Sequence, residues 1–401
     1  MKPDAILRFA ATLVCAGVLH ISAAGAVTEA VVYAFKGGSD GHGPVAGLID
    51  VEGTLYGTTA YGGSSKRCRD GCGTEFSLTP SGTHTVIHRF GKEAGDGKFP
   101  GGSLISVNGT LYGTTVGGGI RGCFKARGCG SVFSITLNGA EAVLYAFRGG
   151  SDGSGPQAGL IDVKGTFYGT TLYDGAHGGG TVFSITPGGT ETVLHAFQGG
   201  SDGSATYARL INVNGALYGT TFEGGGTSCH APYGCGTVFS ITPSGTEKVV
   251  YAFKGGSDGE GPSAGLINIK GTLYGTTIYG GDMSCHAPYG CGTVFSVARR
   301  GTETVLYAFH YGADGAFPSA RLLNSNGTLY GTTLSGGGTS CGCGTVFSLT
   351  PSGTESVLHS FGGGSDGAQP EGDLISIKGI LYGTTYSGGA SNGGTVFSIV
   401  P

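Results

Sequence analysis

The sequence predicts a seven-bladed β-propeller, on three observations. Three marker strings recur seven times in register, each copy holds four short β-type runs without a helical period, and the two chain ends carry complementary parts of one copy.

The first marker is Tyr-Gly-Thr-Thr, with its Tyr at Tyr56, Tyr112, Tyr168, Tyr218, Tyr274, Tyr330 and Tyr382. The spacings are 56, 56, 50, 56, 56 and 52 residues. The second, close to Gly-Thr-Val-Phe-Ser, places Phe at Phe76, Phe133, Phe183, Phe239, Phe295, Phe347 and Phe397. The third ends in Asp-Gly, at Asp40, Asp96, Asp152, Asp202, Asp258, Asp314 and Asp366.

The third unit shows the pattern. Gly159–Val163 is followed by a Lys164-Gly165 turn and by Thr166–Thr171; after a loop, Thr181–Thr186 leads through Pro187-Gly188-Gly189 to Glu191–Phe197. β-branched and aromatic residues fill the runs, and Gly, Pro and Asn fill the breaks. Asn108-Gly109, Asn214-Gly215 and Asn326-Gly327 are strong hairpin signals. A β-solenoid carries fewer residues per turn than this unit. The run Thr28–Phe35 matches a fourth strand, whereas the chain stops at Gly394–Val400, a third strand. Pairing them closes the ring within one blade.

Gly and Pro make up about a quarter of the 401 residues, but the period is not three, so collagen is excluded. Charged residues are 12% and the hydrophobic group is 39%, which argues against a disordered polymer. The formal net charge of -4 argues against a nucleic-acid partner.

Residues 1–26 read as a signal peptide. Lys2 and Arg8 precede an apolar run from Phe9 to Ile21, and Ala24-Gly25-Ala26 suits signal peptidase. Cleavage after Ala26 leaves one domain, residues 27–401, with a net charge of -5. Lipidation at Cys15 is the weaker reading, because Val14 before it is not small. No other apolar stretch reaches membrane length, so the mature protein is expected to be soluble and secreted or periplasmic, with association with the cell surface as the alternative; a monomer is expected.

The unit Leu-Tyr-Gly-Thr-Thr…Gly-Gly…Gly-Thr-Val-Phe-Ser-Ile-Thr-Pro-Ser-Gly-Thr-Glu…Val-Leu-Tyr-Ala-Phe resembles the GloVer tandem repeat of "choice-of-anchor" bacterial surface proteins, over about residues 27–401. The resemblance implies an exported, propeller-like protein and supplies no catalytic residues. Such proteins often end in a sorting or anchoring segment; this chain stops at Pro401 in the last unit, which predicts no anchor.

Strand order puts the connection between units and the loop between second and third strands on one face, here the top. Asp40, Asp96, Asp152, Asp202, Asp258, Asp314 and Asp366 occupy the connections. They read first as turn residues bonding nearby N–H groups, and second as a ring of ligand-binding carboxylates. Calcium-loop spacing is missing. The small polar residue ending each first strand, as at Asp50, is expected to bond turn backbone.

Apart from Cys15, ten cysteines fall as Cys68/Cys72, Cys123/Cys129, Cys229/Cys235, Cys285/Cys291 and Cys341/Cys343, each pair within one top loop. Both members of a pair are present or absent together, which in an exported chain predicts disulfides. Two thiolates per blade make zinc the weaker reading, even beside His230 and His286. Cys341 and Cys343 form the tightest loop.

No His-Glu-x-x-His, Gly-x-Ser-x-Gly or P-loop occurs, and Trp, on which quinone-cofactor propellers rely, is absent. No catalytic residue, metal or cofactor is therefore expected. His88, His195 and His359 stand where other units have Tyr in the outer strand, and exposure there would account for them. The most divergent top loops carry Lys66, Arg67, Arg69, Arg121, Lys125 and Arg127, a basic set suited to an acidic partner or simply to solubility.

The leading functional expectation is an exported binding scaffold with protein or glycan partners on its top face. A propeller-type carbohydrate lyase or hydrolase and a structural cell-surface component are the alternatives. The sameness of the units favours binding over catalysis.

Overall fold

The computed structural model describes residues 27–93, 95–120, 122–123, 127–226, 229 and 233–401. The signal-peptide reading of residues 1–26 lies outside them. Seven antiparallel sheets form a seven-bladed propeller. The inner strands, such as Ile49–Val51, Ile161–Val163 and Ile211–Val213, are three residues long. Neighbouring inner strands touch around the axis, and the outer strands, such as Glu191–Ala196, lie farthest from it. Six sheets have four strands. The second blade has a fifth, because Gly97–Pro100 pairs with the lengthened strand Thr110–Gly118.

The ring closes as the chain ends require. Thr28–Ala34 pairs antiparallel with Thr395–Val400, from Thr28 opposite Val400 to Ala34 opposite Thr395. A bulge between Val31 and Tyr33 is reproduced in the outer strand of the other blades, as at Val143/Tyr145. Such a bulge re-aims the side chains beyond it. Here Tyr33 meets Phe35 edge-on, with ring centroids 5.3 Å apart.

The core lies between blades rather than within them. Each blade leans the Phe that follows its outer strand on the third-strand Phe of the next blade. Phe35–Phe76, Phe90–Phe133, Phe147–Phe183, Phe197–Phe239, Phe253–Phe295, Phe309–Phe347 and Phe361–Phe397 repeat this contact with centroids 5.0–5.2 Å apart. Edge-to-face pairing suits the aromatic quadrupole. The glycine of Tyr-Gly-Thr-Thr leaves room for that Phe: a Cβ at Gly169 would stand 2.5 Å from Phe183 Cζ.

Local sequence fixes the rest. Asn108, Asn214 and Asn326 take φ of 50–54°, as the tight hairpins require. Asp50 and Asp162 each accept the turn N–H three residues on, at 2.9 Å, as expected of a small polar residue there. The two Thr hydroxyls Thr59 and Thr74, both buried, bond each other at 2.8 Å, and the pair recurs at Thr171/Thr181 and Thr277/Thr293.

Candidate functional site

The top face is built from the connections and loops that the sequence placed together. Gly63 in the first top loop donates its N–H to Gly38 of the adjoining connection at 2.8 Å. Disulfides join Cys68 to Cys72, Cys123 to Cys129, Cys229 to Cys235, Cys285 to Cys291 and Cys341 to Cys343, each within its own loop.

The pairing is as the spacing predicts, and at least one sulfur of each of four bridges lies in the core. Cys72, Cys129, Cys235 and Cys291 are fully buried. Cys72, Cys235 and Cys291 each stand two residues before a third strand, ahead of Thr74, Thr237 and Thr293, where the chain has already turned inward. There they join the apolar clusters between blades, Cys72 with Phe90, Cys235 with Phe253 and Cys291 with Phe309. These four cysteines therefore offer a ligand nothing; each ties its loop down to the core. Cys123–Cys129 packs beneath the next connection, where a Cβ on Gly149 would stand 2.5 Å from Cys123 Sγ.

Five disulfides fit an oxidising, non-cytoplasmic compartment. Among the described residues no helix is long and apolar enough to cross a membrane. These loops are shorter than the 15-residue loop for which a disulfide contributes about 3 kcal/mol. Reduction is therefore expected to loosen the loops and leave the ring folded, as read by peptide mapping beside circular dichroism.

Each connection Asp is engaged locally. Asp40 accepts the Tyr33 hydroxyl at 2.8 Å and the Lys36 N–H at 2.8 Å. Asp152, Asp258 and Asp314 accept Tyr145, Tyr251 and Tyr307 hydroxyls in the same way. Asp202 and Asp366 meet the Nε2 of His195 and His359 at 3.1 Å. Asp96 accepts the Lys92 N–H at 2.9 Å.

The histidines are not simply exposed, contrary to the sequence expectation. All three are half-buried, and from the next blade the start of the outer strand brings a Glu against the pair. The same arrangement recurs at the tyrosine junctions, and Glu191, Glu247 and Glu303 lie close enough to Asp152, Asp202 and Asp258 for the carboxyls to interact. Burial first, and then the Asp charge, pushes each of these Glu carboxyls up to about 7. Glu355 is also pushed to about 7, by burial and then Asp314.

Lys66, Arg67, Arg69 and Arg127 are exposed on the top loops, while Arg121 and Lys125 lie outside the described residues.

The central channel holds a set of residues that repeat analysis passed over. The residue just before the apolar pair opening each inner strand lines the axis; it is Gly47, Ser103, Gly159 and Gly265 in four units, but Arg209, Arg321 and Asp373 in the other three. Arg321 and Asp373 pair: the Arg321 backbone N–H donates to Asp373 Oδ1 at 2.9 Å, and its Nε stands 3.2 Å from Oδ2. Arg209 is half-buried beside them, and its Nε has no hydrogen-bond partner. Burial, and then the Arg321 charge, lowers the Arg209 guanidinium to about 10, against the pull of Asp373. The Ser263 and Ser319 hydroxyls are likewise buried without a partner. Burial alone pushes Glu371 up to about 7. Arg209, Asp373, Ser263, Ser319 and Glu371 line the upper channel, a cavity of about 300 Å³, and Arg209 and Asp373 continue into a deeper one of about 280 Å³ that Arg321 also lines.

Aromatic side chains extend from this cavity over the top face. Tyr207, which lines it, meets Phe222 at 5.4 Å; Phe222 meets Tyr279 at 6.4 Å, and Tyr279 meets Phe317 at 6.1 Å. Across the mouth, His42 stacks on Tyr61 at 5.4 Å, and Tyr61 meets Phe99 at 5.9 Å. The signal for both sets was in the sequence: a charge replacing the repeated Gly, and aromatics at the variable positions beside Tyr-Gly-Thr-Thr and the connection Pro.

Among solved structures, a Bacteroides uniformis protein described as a "putative 6-phosphogluconolactonase" shares the fold with a TM-score of 0.53 at 14% identity, over 86% of this chain and 92% of that one. A Thermus thermophilus protein described as a "putative oxidoreductase (glucose dehydrogenase)" gives a TM-score of 0.45 at 16% identity, over 76% and 98%. No curated protein matches the chain in sequence. The Gloeobacter/Verrucomicrobia repeat matches residues 15–233 and again 225–401, so between them the matches take in every blade; the chain belongs to this repeat family.

Proposed function

We infer that the protein is an exported glycan-binding propeller that takes an acidic saccharide at the top mouth of its channel. The observation that carries this reading is Arg209, a buried-side cation with an unpartnered Nε, standing where an aromatic surface enters the channel. Guanidinium groups recognise carboxylates with directed, charge-assisted hydrogen bonds. The unpartnered Ser263 and Ser319 hydroxyls suit sugar hydroxyls, and Tyr207, Phe222 and Tyr279 supply flat apolar surface for sugar rings. Neither guanidinium Nε makes a hydrogen bond, but Arg321 is ion-paired with Asp373, which leaves Arg209 the more available of the two cations.

Isothermal titration with oligogalacturonides and with neutral oligosaccharides tests this. Arg209→Ala is expected to weaken acidic-oligosaccharide binding about 10–100-fold, the ~1.5–3 kcal/mol of a hydrogen bond to a charged group. Replacing the top loops that carry Lys66, Arg67, Arg69 and Arg127 by the short third-unit loop is expected to change it little. The reverse outcome moves the site to the loops. Binding of neutral sugars alone removes the anionic ligand.

Catalysis is the second reading, favoured by one group. Glu371, held near 7 inside the channel, is poised as a general acid or base. Depolymerisation of a bound acidic glycan that Glu371→Gln abolishes would establish it.

A further inference from the structure

The junction between the first and second blades differs from the other six in two ways. First, its connection is one residue longer: eight residues separate His88 from Asp96, against seven from Tyr33 to Asp40 or His195 to Asp202. In the six other connections the aromatic or imidazole group bonds the Asp carboxylate directly. Here Asp96 is only 8% exposed and its Oδ1 has no partner; His88 Nε2 and Glu141 Oε1 are also buried without one. One donor atom from each of the three residues lies within 4.8 Å of the others.

Second, Glu75 replaces the third-strand Val of every other unit, Val132, Val182, Val238, Val294, Val346 and Val396. It is fully buried, directly across the ladder from His88, and neither carboxylate oxygen has a partner. It is close enough to Glu141 for their charges to interact. Burial, and then the Glu141 charge, pushes Glu75 up to about 8, so it is a neutral acid at pH 7 unless a cation stands beside it. The cluster opens on a cavity of about 480 Å³, also lined by Lys92 and Glu93.

We propose that His88, Asp96 and Glu141 form a binding site for a divalent transition-metal cation, with Zn²⁺ as the fitting ion, clamping the first blade to the second. One imidazole nitrogen and two carboxylate oxygens are a zinc-type donor set that leaves a fourth position for water. Calcium wants six to eight oxygens and no nitrogen. Asp96 and Glu141 balance the two positive charges of the ion, and Glu75 stands behind them, near enough to Glu141 for the two carboxyls to interact. At His195 and His359 the ring nitrogen is already bonded to Asp202 or Asp366, so those junctions lack a free donor.

The test uses the full exported chain, without a histidine tag, after chelator treatment, titrated with Zn²⁺ by calorimetry. One equivalent is expected to bind. His88→Tyr, which installs the residue found at four other junctions, and the isosteric Glu141→Gln should each weaken it by more than the ~10–100-fold typical of losing an outer partner of a ligand. His195→Tyr and His359→Tyr should leave it intact. Circular dichroism establishes that each variant is folded, and Glu141→Gln carries the test if His88→Tyr is not. Absence of a tight equivalent, its survival in either first-junction variant, or its loss in His195→Tyr or His359→Tyr would overturn the assignment. None of these outcomes depends on saccharide binding, so this site and the channel stand or fall separately.

Discussion

Deleting residues 27–35 is expected to open the ring and lower the melting temperature more than any single substitution. The deletion removes the whole outer strand of the closing blade, from Thr28 opposite Val400 to Ala34 opposite Thr395. It also removes Phe35, which is fully buried against Leu48, Leu55, Phe76, Tyr382 and Val396, and whose N–H donates to Gly394 at 3.0 Å. Phe35→Ala alone should cost about 3–5 kcal/mol, the usual range for a buried Phe. The deletion adds to this an exposed strand edge at Thr395–Val400, a template for association between molecules. Thermal unfolding and light scattering would read both effects, and the peptide 27–35 added in trans should restore part of the loss. An unchanged melting temperature would show that the closing strand contributes nothing to holding the ring.

Stability is expected to fall as pH rises from about 4.5 to about 7. Glu191, Glu247, Glu303 and Glu355 are raised from 4.5 to about 7 in the folded protein, so the folded state holds more protons than the unfolded chain across that window. Stability changes with pH in proportion to protons bound unfolded minus folded, which is negative here. The contribution is fully present below about 4.5 and is lost as pH climbs through 7. Four equivalent junctions act in the same direction, so the melting temperature should drop by several degrees between pH 5 and pH 8. The groups are half-exposed and solvent screens part of the effect. Glu247→Gln should make the profile shallower, because its amide does not titrate while the other three junctions still do. A profile that rises over this window would mean that the junction carboxyls are not protonated when folded.

The alternation and turn chemistry of one unit were enough to place its four strands, and seven registered copies were enough to count the blades. Asn108, Asn214 and Asn326 marked their own hairpins because positive φ is a local demand. The cysteine pairing was legible because each bridge is closed within a few residues of chain. The burial of Cys72, Cys235 and Cys291 was not, because Phe90, Phe253 and Phe309 come over them only after the outer strand has been laid down. The fifth strand of the second blade was also hidden, since it depends on Gly97–Pro100 meeting a strand some fifteen residues on. The histidines were misjudged as exposed for a similar reason: the Glu that covers each belongs to the next blade, Glu141 and Glu247 in the following unit and Glu29, for His359, at the other end of the chain.

The sequence by itself determined the architecture, because every blade is specified by local periodicity and the ring follows from repetition and the offset of the chain ends. Only the tertiary structure decided where chemistry can occur. Arg209, Arg321 and Asp373 come from three different units, and Glu75, His88, Asp96 and Glu141 from two. Arg209, Arg321, Asp373 and Glu75 each replace a small or apolar residue of the repeat, which in one dimension looks like drift, whereas Asp96 and Glu141 are repeat residues that stand out only by their surroundings. Closing the ring turns the first set toward a common axis and presses the second into one interface, and burial without partners is a property that exists only once those surfaces meet.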